Sequence, residues 1–332
     1  TNFANSILIS GDAGTGTLSS ADGNTGVGAG VFAALTTGDN NVAVGLNSLA
    51  AHTTGNNNTA VGKDALNDNT TAANNVAVGY ESLSKNTTGT SLTAIGQLSL
   101  AANTTADNNT AVGRLALYAN TTGANNTSVG FSALCTNTTG ATNVAVGCGA
   151  LLINTTGANN TALGAKALCS NVEASSNTAV GVESLCSNTT GTKNVGVGLN
   201  SLRKVTTGSC NVGIGTSAMQ NGLTGSDNTA VGTGALQTSS TGASNVAIGH
   251  GALQANTSAS ANVAVGKSAL VANTTGANNV AIGNAMETNT TGANNVAVGG
   301  GALQANTTAS GNTGIGRIAL ASNTTGANNV GV

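Results

Sequence analysis

The side chains able to do chemistry are few and thinly spread. There are two histidines, His52 and His250, and five cysteines, Cys135, Cys148, Cys169, Cys186 and Cys210. A nucleophile–base–acid set needs its members to converge in space, and no irregular segment beside either histidine could build a pocket. Both histidines read as surface substitutions. Gly266-Lys267-Ser268 has the ending of a phosphate-binding loop, but Ala261 stands where that motif needs its first glycine. Gly26, Gly28 and Gly30 are spaced like part of a dinucleotide fingerprint, yet Gly26 and Gly28 belong to a repeat that runs through the chain. Asp64, Glu81, Glu173, Glu183 and Glu287 do not form the Gly/Asp nonapeptide of calcium-binding rolls. No C-x-x-C spacing occurs. These residues predict no catalytic site, no cofactor and no metal centre.

Two patterns remain. Cys169 and Cys186 are 17 residues apart, the interval of the repeat. If that interval is one turn of a solenoid, their Cα atoms lie about 5 Å apart, within disulfide reach. They read as a stacked thiol pair or a disulfide. The second pattern is N-x-[ST] at Asn69, Asn86, Asn103, Asn120, Asn137, Asn154, Asn188, Asn256, Asn273, Asn289, Asn306 and Asn323. On a solenoid these would line one edge, either as a glycosylated edge or as a ladder of turn residues.

The element that positions these residues is legible in the glycines. The string N-[VT]-[AG]-[VI]-G recurs with small variations, its last residue at Gly28, Gly45, Gly62, Gly79, Gly96, Gly113 and onward to Gly283, always in steps of 17. Gly299 follows after 16 residues and Gly316 after 17. Counting backwards puts Gly11 in register as well. Numbered from the residue after that glycine, the consensus is x-x-A-L-x-x-N-T-T-G-A-N-N-V-A-V-G. Position 4 carries Leu49, Leu66, Leu83 and Leu100, with Phe32 and Met219 as exceptions and Met286 in that place in the short coil. Position 16 carries Val44, Val61, Val78 and Ile95. These two ladders are expected to fill the interior from two sides. Position 15 is only Ala, Ser or Gly, so something packs closely there.

Helical solenoids need units of about 33 residues or more, so 17 residues predict an all-β parallel solenoid, a β-roll of about 19 coils. Each coil is expected to hold two strands of about 4–5 residues and two turns, with equivalent residues stacked coil on coil. The valines and threonines favour strand. The 48 glycines and the Asn clusters supply turns. The absence of proline suits strands that all donate to a ladder. Residues 1–23 are expected to be a degenerate coil or cap, and residues 24–332 one continuous repeat domain. Stacked at about 4.8 Å per coil, the repeats would form a rod on the order of 90 Å long.

Composition narrows the function classes. Only 6% of residues are charged, where about 25% is usual. The 9 basic residues form no stripe, which predicts no nucleic-acid partner. No apolar run approaches the roughly 18 residues that cross a bilayer, so no membrane insertion is expected. The chain begins at Thr1 and stops within a repeat at Val332, which reads as a processed product or a segment of something longer.

N-N-V-A-V-G followed by x-x-A-L, as in residues 294–303, resembles the head repeats of YadA-type trimeric autotransporter adhesins, also called Hep/Hag repeats. The period here is longer, with an added N-T-T-G turn. That longer form is similar to repeats of phage and algal-virus tail fibres and of large bacterial surface proteins. The resemblance covers essentially residues 24–332. It implies a left-handed parallel β-roll, commonly a homotrimer, located outside a cell, on a cell surface or on a virion surface. It further implies attachment to a partner such as a cell-surface glycan or a protein receptor. The expected role is therefore a structural and adhesive fibre module, a rigid rod, and not an enzyme. The alternatives are a filament subunit stacking head to tail on itself and, less favoured, an ice-binding solenoid built on threonine ladders.

Overall fold

The computed structural model describes residues 6–9 and 20–332. Gly11 and most of the expected N-terminal cap (1–23) lie outside the described residues. The chain divides into two compact units, Thr1–Ala165 and Lys166–Val332. The first holds ten strands from β1 (Ile7–Ile9) to β10 (Thr161–Leu163), among the described residues. The second holds ten more, from β11 (Thr178–Val180) to β20 (Val330–Gly331).

Within each unit the strands pair in parallel and in register, as Val42↔Thr59, Ala43↔Ala60 and Val44↔Val61 do in the first. The second repeats the pattern with Val246↔Val263, Ala247↔Ala264 and Ile248↔Val265. Matching residues therefore superpose once per 17-residue turn, as the glycine spacing predicts. Two turns depart: the 16-residue coil in which Val280 pairs with Val296, and the first turn. Ile7 pairs with Thr25, an offset of 18, so the first turn carries one residue more than the period.

Each coil has one strand, not the two expected. It is three residues long, positions 14–16, except the two-residue β20, and the rest of each coil is turn or irregular. The reason is in the backbone at positions 2 and 4, which turns left-handed in coil after coil. Asn47 and Leu49 have φ of 54° and 50°, and Glu81 and Leu83 have 51° and 52°. Two left-handed residues within three cannot lie in a strand. Asn at position 12 adds a third such turn, with φ of 59° at Asn57 and 62° at Asn74. Asn tolerates this geometry through its short polar side chain, whereas leucine does not. A left-handed leucine costs about 1–2 kcal/mol, and complete burial of its side chain returns about 2–3 kcal/mol. Leu49, Leu66, Leu83 and Leu100 are all fully buried, so packing overrides local preference.

The turns are bonded from coil to coil as closely as the strands. Leu49 N–H donates to Ala65 O at 3.1 Å, Ala51 N–H to Asn67 O at 3.0 Å and Thr53 N–H to Thr70 O at 2.8 Å. Position 17 must be glycine for two reasons. Gly130 has φ of 131°, and a Cβ there would stand 2.8 Å from the carbonyl carbon and oxygen of Gly147.

The apolar interior differs from expectation in one respect. Position 4 is core, but position 16 is not. The inward strand residue is position 15: Ala43, Ala60, Ala77 and Ala94 are fully buried. Val44, Val61 and Val78 are half-buried, and Ile95 is 41% exposed. In a strand, alternate residues face opposite sides, so with position 15 inward, positions 14 and 16 must face outward. The small side chain at 15 makes room for the position-4 leucine, and a Cβ on Gly213 would come within 2.9 Å of Leu202 Cγ. The 16-residue coil absorbs its deletion in the turn after Gly283. Val280 still pairs with Val296, and Met286 takes the leucine's place, buried with φ of 50°.

Candidate functional site

The N-T-T asparagines do not line a surface edge. Asn69, Asn86, Asn103, Asn120, Asn137, Asn154, Asn188, Asn256, Asn273, Asn289 and Asn306 are fully buried, and of the twelve only Asn323, in the last coil, is partly exposed. This corrects the glycosylated-edge alternative for the eleven buried positions, because a buried, hydrogen-bonded amide offers no nitrogen to a glycan. The ladder alternative describes them, but as an interior ladder. Asn137 Nδ2 donates to Asn120 Oδ1 at 2.8 Å and to Gly140 O at 2.9 Å. Its own Oδ1 accepts from Asn154 Nδ2 at 2.8 Å. The second unit repeats this, with Asn289 Nδ2 donating to Asn273 Oδ1 at 2.9 Å and to Gly292 O at 2.9 Å.

A second amide ladder, at position 13, was not singled out from sequence. Asn143 Nδ2 donates to Gly157 O at 2.8 Å, and its backbone N–H donates to Asn126 Oδ1 at 2.9 Å. The position-10 carbonyl thus accepts from two amides, as Gly140 O does from Asn137 and Asn126. The signal was present in the sequence: Asn recurs three residues either side of a Gly or Ala. The interior therefore combines leucine and alanine with a hydrogen-bonded amide network, in which only Asn69 Oδ1, Asn188 Oδ1 and Asn312 Nδ2 lack a partner among the described residues.

His52 occupies position 7 and is fully buried, not a surface substitution. The network fixes its tautomer. Nε2 donates to Gly55 O at 2.7 Å, which leaves Nδ1 to accept from Asn69 Nδ2 at 3.1 Å. Burial lowers its pKa below the ordinary value, so the ring is neutral near pH 7.

With the amides turned inward, the outward chemistry belongs to other positions. The first is the strand face. Positions 14 and 16 present two columns of β-branched and aliphatic side chains. Val27, Ile95, Val144 and Leu163 are 38%, 41%, 38% and 46% exposed in the first unit. Ile214, Ile248 and Ile282 are 41%, 40% and 42% exposed in the second. At position 1, Leu46, Tyr80, Phe131, Val182 and Leu199 add further exposed apolar side chains.

The second feature is a groove in the first unit, of about 470 Å³, lined by Asn47, Asp64, Asn67, Glu81, Ser84 and Lys85. It borders a cluster of charges. Lys85 pairs with Asp68 at 3.0 Å and Lys63 with Asp64 at 3.6 Å. Lys63 also lies 5.5 Å from the centre of the Tyr80 ring, and Arg114 lies 5.6 Å from that of Phe131.

The third is the thiol pair. Cys169 and Cys186 are both half-buried and unbonded to one another covalently. No group of three or more His, Cys, Asp and Glu side chains is placed to hold a metal ion among the described residues. No family model matches the chain, and no curated protein matches it.

Proposed function

We propose that this chain is a structural and adhesive repeat module of an extracellular or virion fibre, assembled from copies of itself through the outward strand face. One observation carries the reading: in both units, position 16 turns a half-buried or exposed Val, Ile or Leu outward at each described turn, with Val or Thr beside it at position 14. Monomeric proteins rarely leave long contiguous apolar strips open to water. A second copy of the chain has the same 17-residue turn, so its columns stay in step with the first over many coils. An unrelated partner would fall out of step after a few. A homotrimer closes such a face on a central axis, which also agrees with the resemblance to trimeric adhesin heads.

Attachment then falls to the surfaces that such an assembly leaves open. The groove around Asp64 and Glu81 has carboxylates, amides and a lysine beside exposed Tyr80. That mixture suits the hydroxyls and flat faces of a cell-surface glycan, or a polar protein surface.

The deciding measurement is the native mass of the full chain over a hundredfold range of concentration, combined with electron microscopy. A discrete trimer that appears as a rod is the expected outcome. A stable monomer at all concentrations overturns the assembly. An open series of masses growing with concentration would favour head-to-tail filaments instead.

A further inference from the structure

Three cysteines, Cys135, Cys169 and Cys186, share position 5 of their coils and are all half-buried. They differ in what stands above them. The coil after Cys135 carries Leu152 at that position, and burial alone pushes the Cys135 thiol up. The coil after Cys169 carries Cys186. The backbone there is held in register by Ser170 N–H donating to Cys186 O at 3.0 Å and Leu168 N–H to Ser184 O at 3.0 Å. Cys169 Sγ lies 3.4 Å from Cys186 O and 3.9 Å from Ser170 Oγ. Equivalent residues of adjacent turns are about 4.8 Å apart, inside the Cα separation that a disulfide accepts.

The pair is also electronically unequal. In the structure the Cys169 thiol donates to Cys186 O, and its pKa is lowered to about 6, first by the neighbouring Cys186 side chain, with Ser170 and the Lys166 charge assisting against burial. The same pairing pushes Cys186 up. Cys169 is therefore the more readily ionised member and Cys186 the one that holds its proton, which suits an attacking and a resolving thiol on neighbouring turns.

We propose that Cys169 and Cys186 form a dithiol site that reacts with low-molecular-weight disulfides of the glutathione class and closes to a disulfide between consecutive coils. The Cys169 thiolate attacks one sulfur of the oxidised reagent. A Cys169–glutathione bond forms, the reagent's own sulfur–sulfur bond breaks, and one glutathione thiolate leaves. Cys186 then gives its proton to that thiolate or to solvent and attacks the Cys169 sulfur. The mixed disulfide breaks and a second glutathione leaves. Two protein thiols are oxidised and one glutathione disulfide is reduced to two thiols. The inference is independent of how the chain assembles.

The test uses the full chain, reduced and then exposed to oxidised glutathione, with peptide mapping by mass spectrometry. A cross-linked Cys169–Cys186 peptide and two released glutathiones per site are expected, while Cys135 stays mostly reduced. Cys186→Ala should stop the reaction at a Cys169–glutathione adduct. A second readout is alkylation by iodoacetamide at pH 7. The larger thiolate fraction of Cys169 is partly offset by its weaker nucleophilicity, so Cys169 should alkylate several-fold faster than Cys135, whose thiol burial pushes up. Cys186→Ala should erase most of that advantage. Equal alkylation of Cys169 and Cys135, or separate mixed disulfides on Cys169 and Cys186 with no cross-link, overturns the proposal.

Discussion

At Asn137 one side-chain amide holds three hydrogen bonds in the interior, to Asn120, Gly140 and Asn154. Asn137→Ala removes all three. Gly140 O keeps its bond from Asn126 and Asn154 keeps its bond to Gly157, so the main loss is the donor to Asn120 Oδ1 plus a small cavity. A cost of about 2–4 kcal/mol is expected in denaturant unfolding. At His52 the effect depends on pH. Its folded-state pKa lies below the ordinary 6.5, so the unfolded chain binds more protons between the two values. Stability is therefore complete above about pH 6.5 and falls as the pH drops through the folded value. The urea midpoint should be lower at pH 5 than at pH 7.5, and His52→Asn should remove that part of the difference. Gly222 is a third residue-scale test. It stands where other coils have Asn, and a Cβ there would meet Met219 Cε at 2.8 Å. Met219 replaces the usual leucine and reaches into the space that the amide vacates. Gly222→Asn alone overpacks and Met219→Leu alone leaves a void, so the double variant should be more stable than the sum of the singles by about 1 kcal/mol or more. An additive cycle would show that the two sites are not coupled.

At the scale of the turn, two glycines of one coil are not equivalent. Gly130, at position 17, is left-handed and faces the backbone of Gly147. Backbone cannot swing aside as a side chain can, so Gly130→Ala should cost more than about 3 kcal/mol or prevent folding. Gly140, at position 10, would also bring a Cβ close to a carbonyl, that of Gly157. Ala72, Ala106, Ala174, Ala259 and Ala309 occupy that same position in other coils. The turn there adjusts, and Gly140→Ala should cost no more than about 1.5 kcal/mol. Comparing the two variants by thermal unfolding separates a position fixed by backbone conformation from one that has slack. The position-17 glycine was legible from its unbroken recurrence. The left-handed leucines were not, because propensity argues against them and only the closed interior makes that conformation worthwhile.

At the scale of the whole molecule, the proposed assembly would use a face that carries little of the fold's own stability. Val61 and Val78 are half-buried at position 16. The double substitution Val61→Lys with Val78→Lys should leave circular dichroism unchanged and the unfolding midpoint within about 1 kcal/mol, because a lysine stem can lie along the strand face while its ammonium reaches water. The native mass should nevertheless fall toward that of one chain, since a buried unpaired charge is expensive in any interface. Unaltered mass would place the contact between copies elsewhere.

The period, the parallel stacking and the buried leucine at position 4 were determined by sequence alone. A residue type that returns every 17 places must return to the same environment, and a unit that short has room only for β turns. Periodicity gives equivalence between coils but not direction within a coil. It could not say whether Val44 or Ala43 faces inward, nor whether Asn137 points to water or to Gly140. Those choices depend on the left-handed residues at positions 2, 4 and 12, which set how the chain bends between ladders. Only the closed turn, in which the small residue at 15 admits leucine and the amides meet the position-10 carbonyl, decides which side of each ladder is inside.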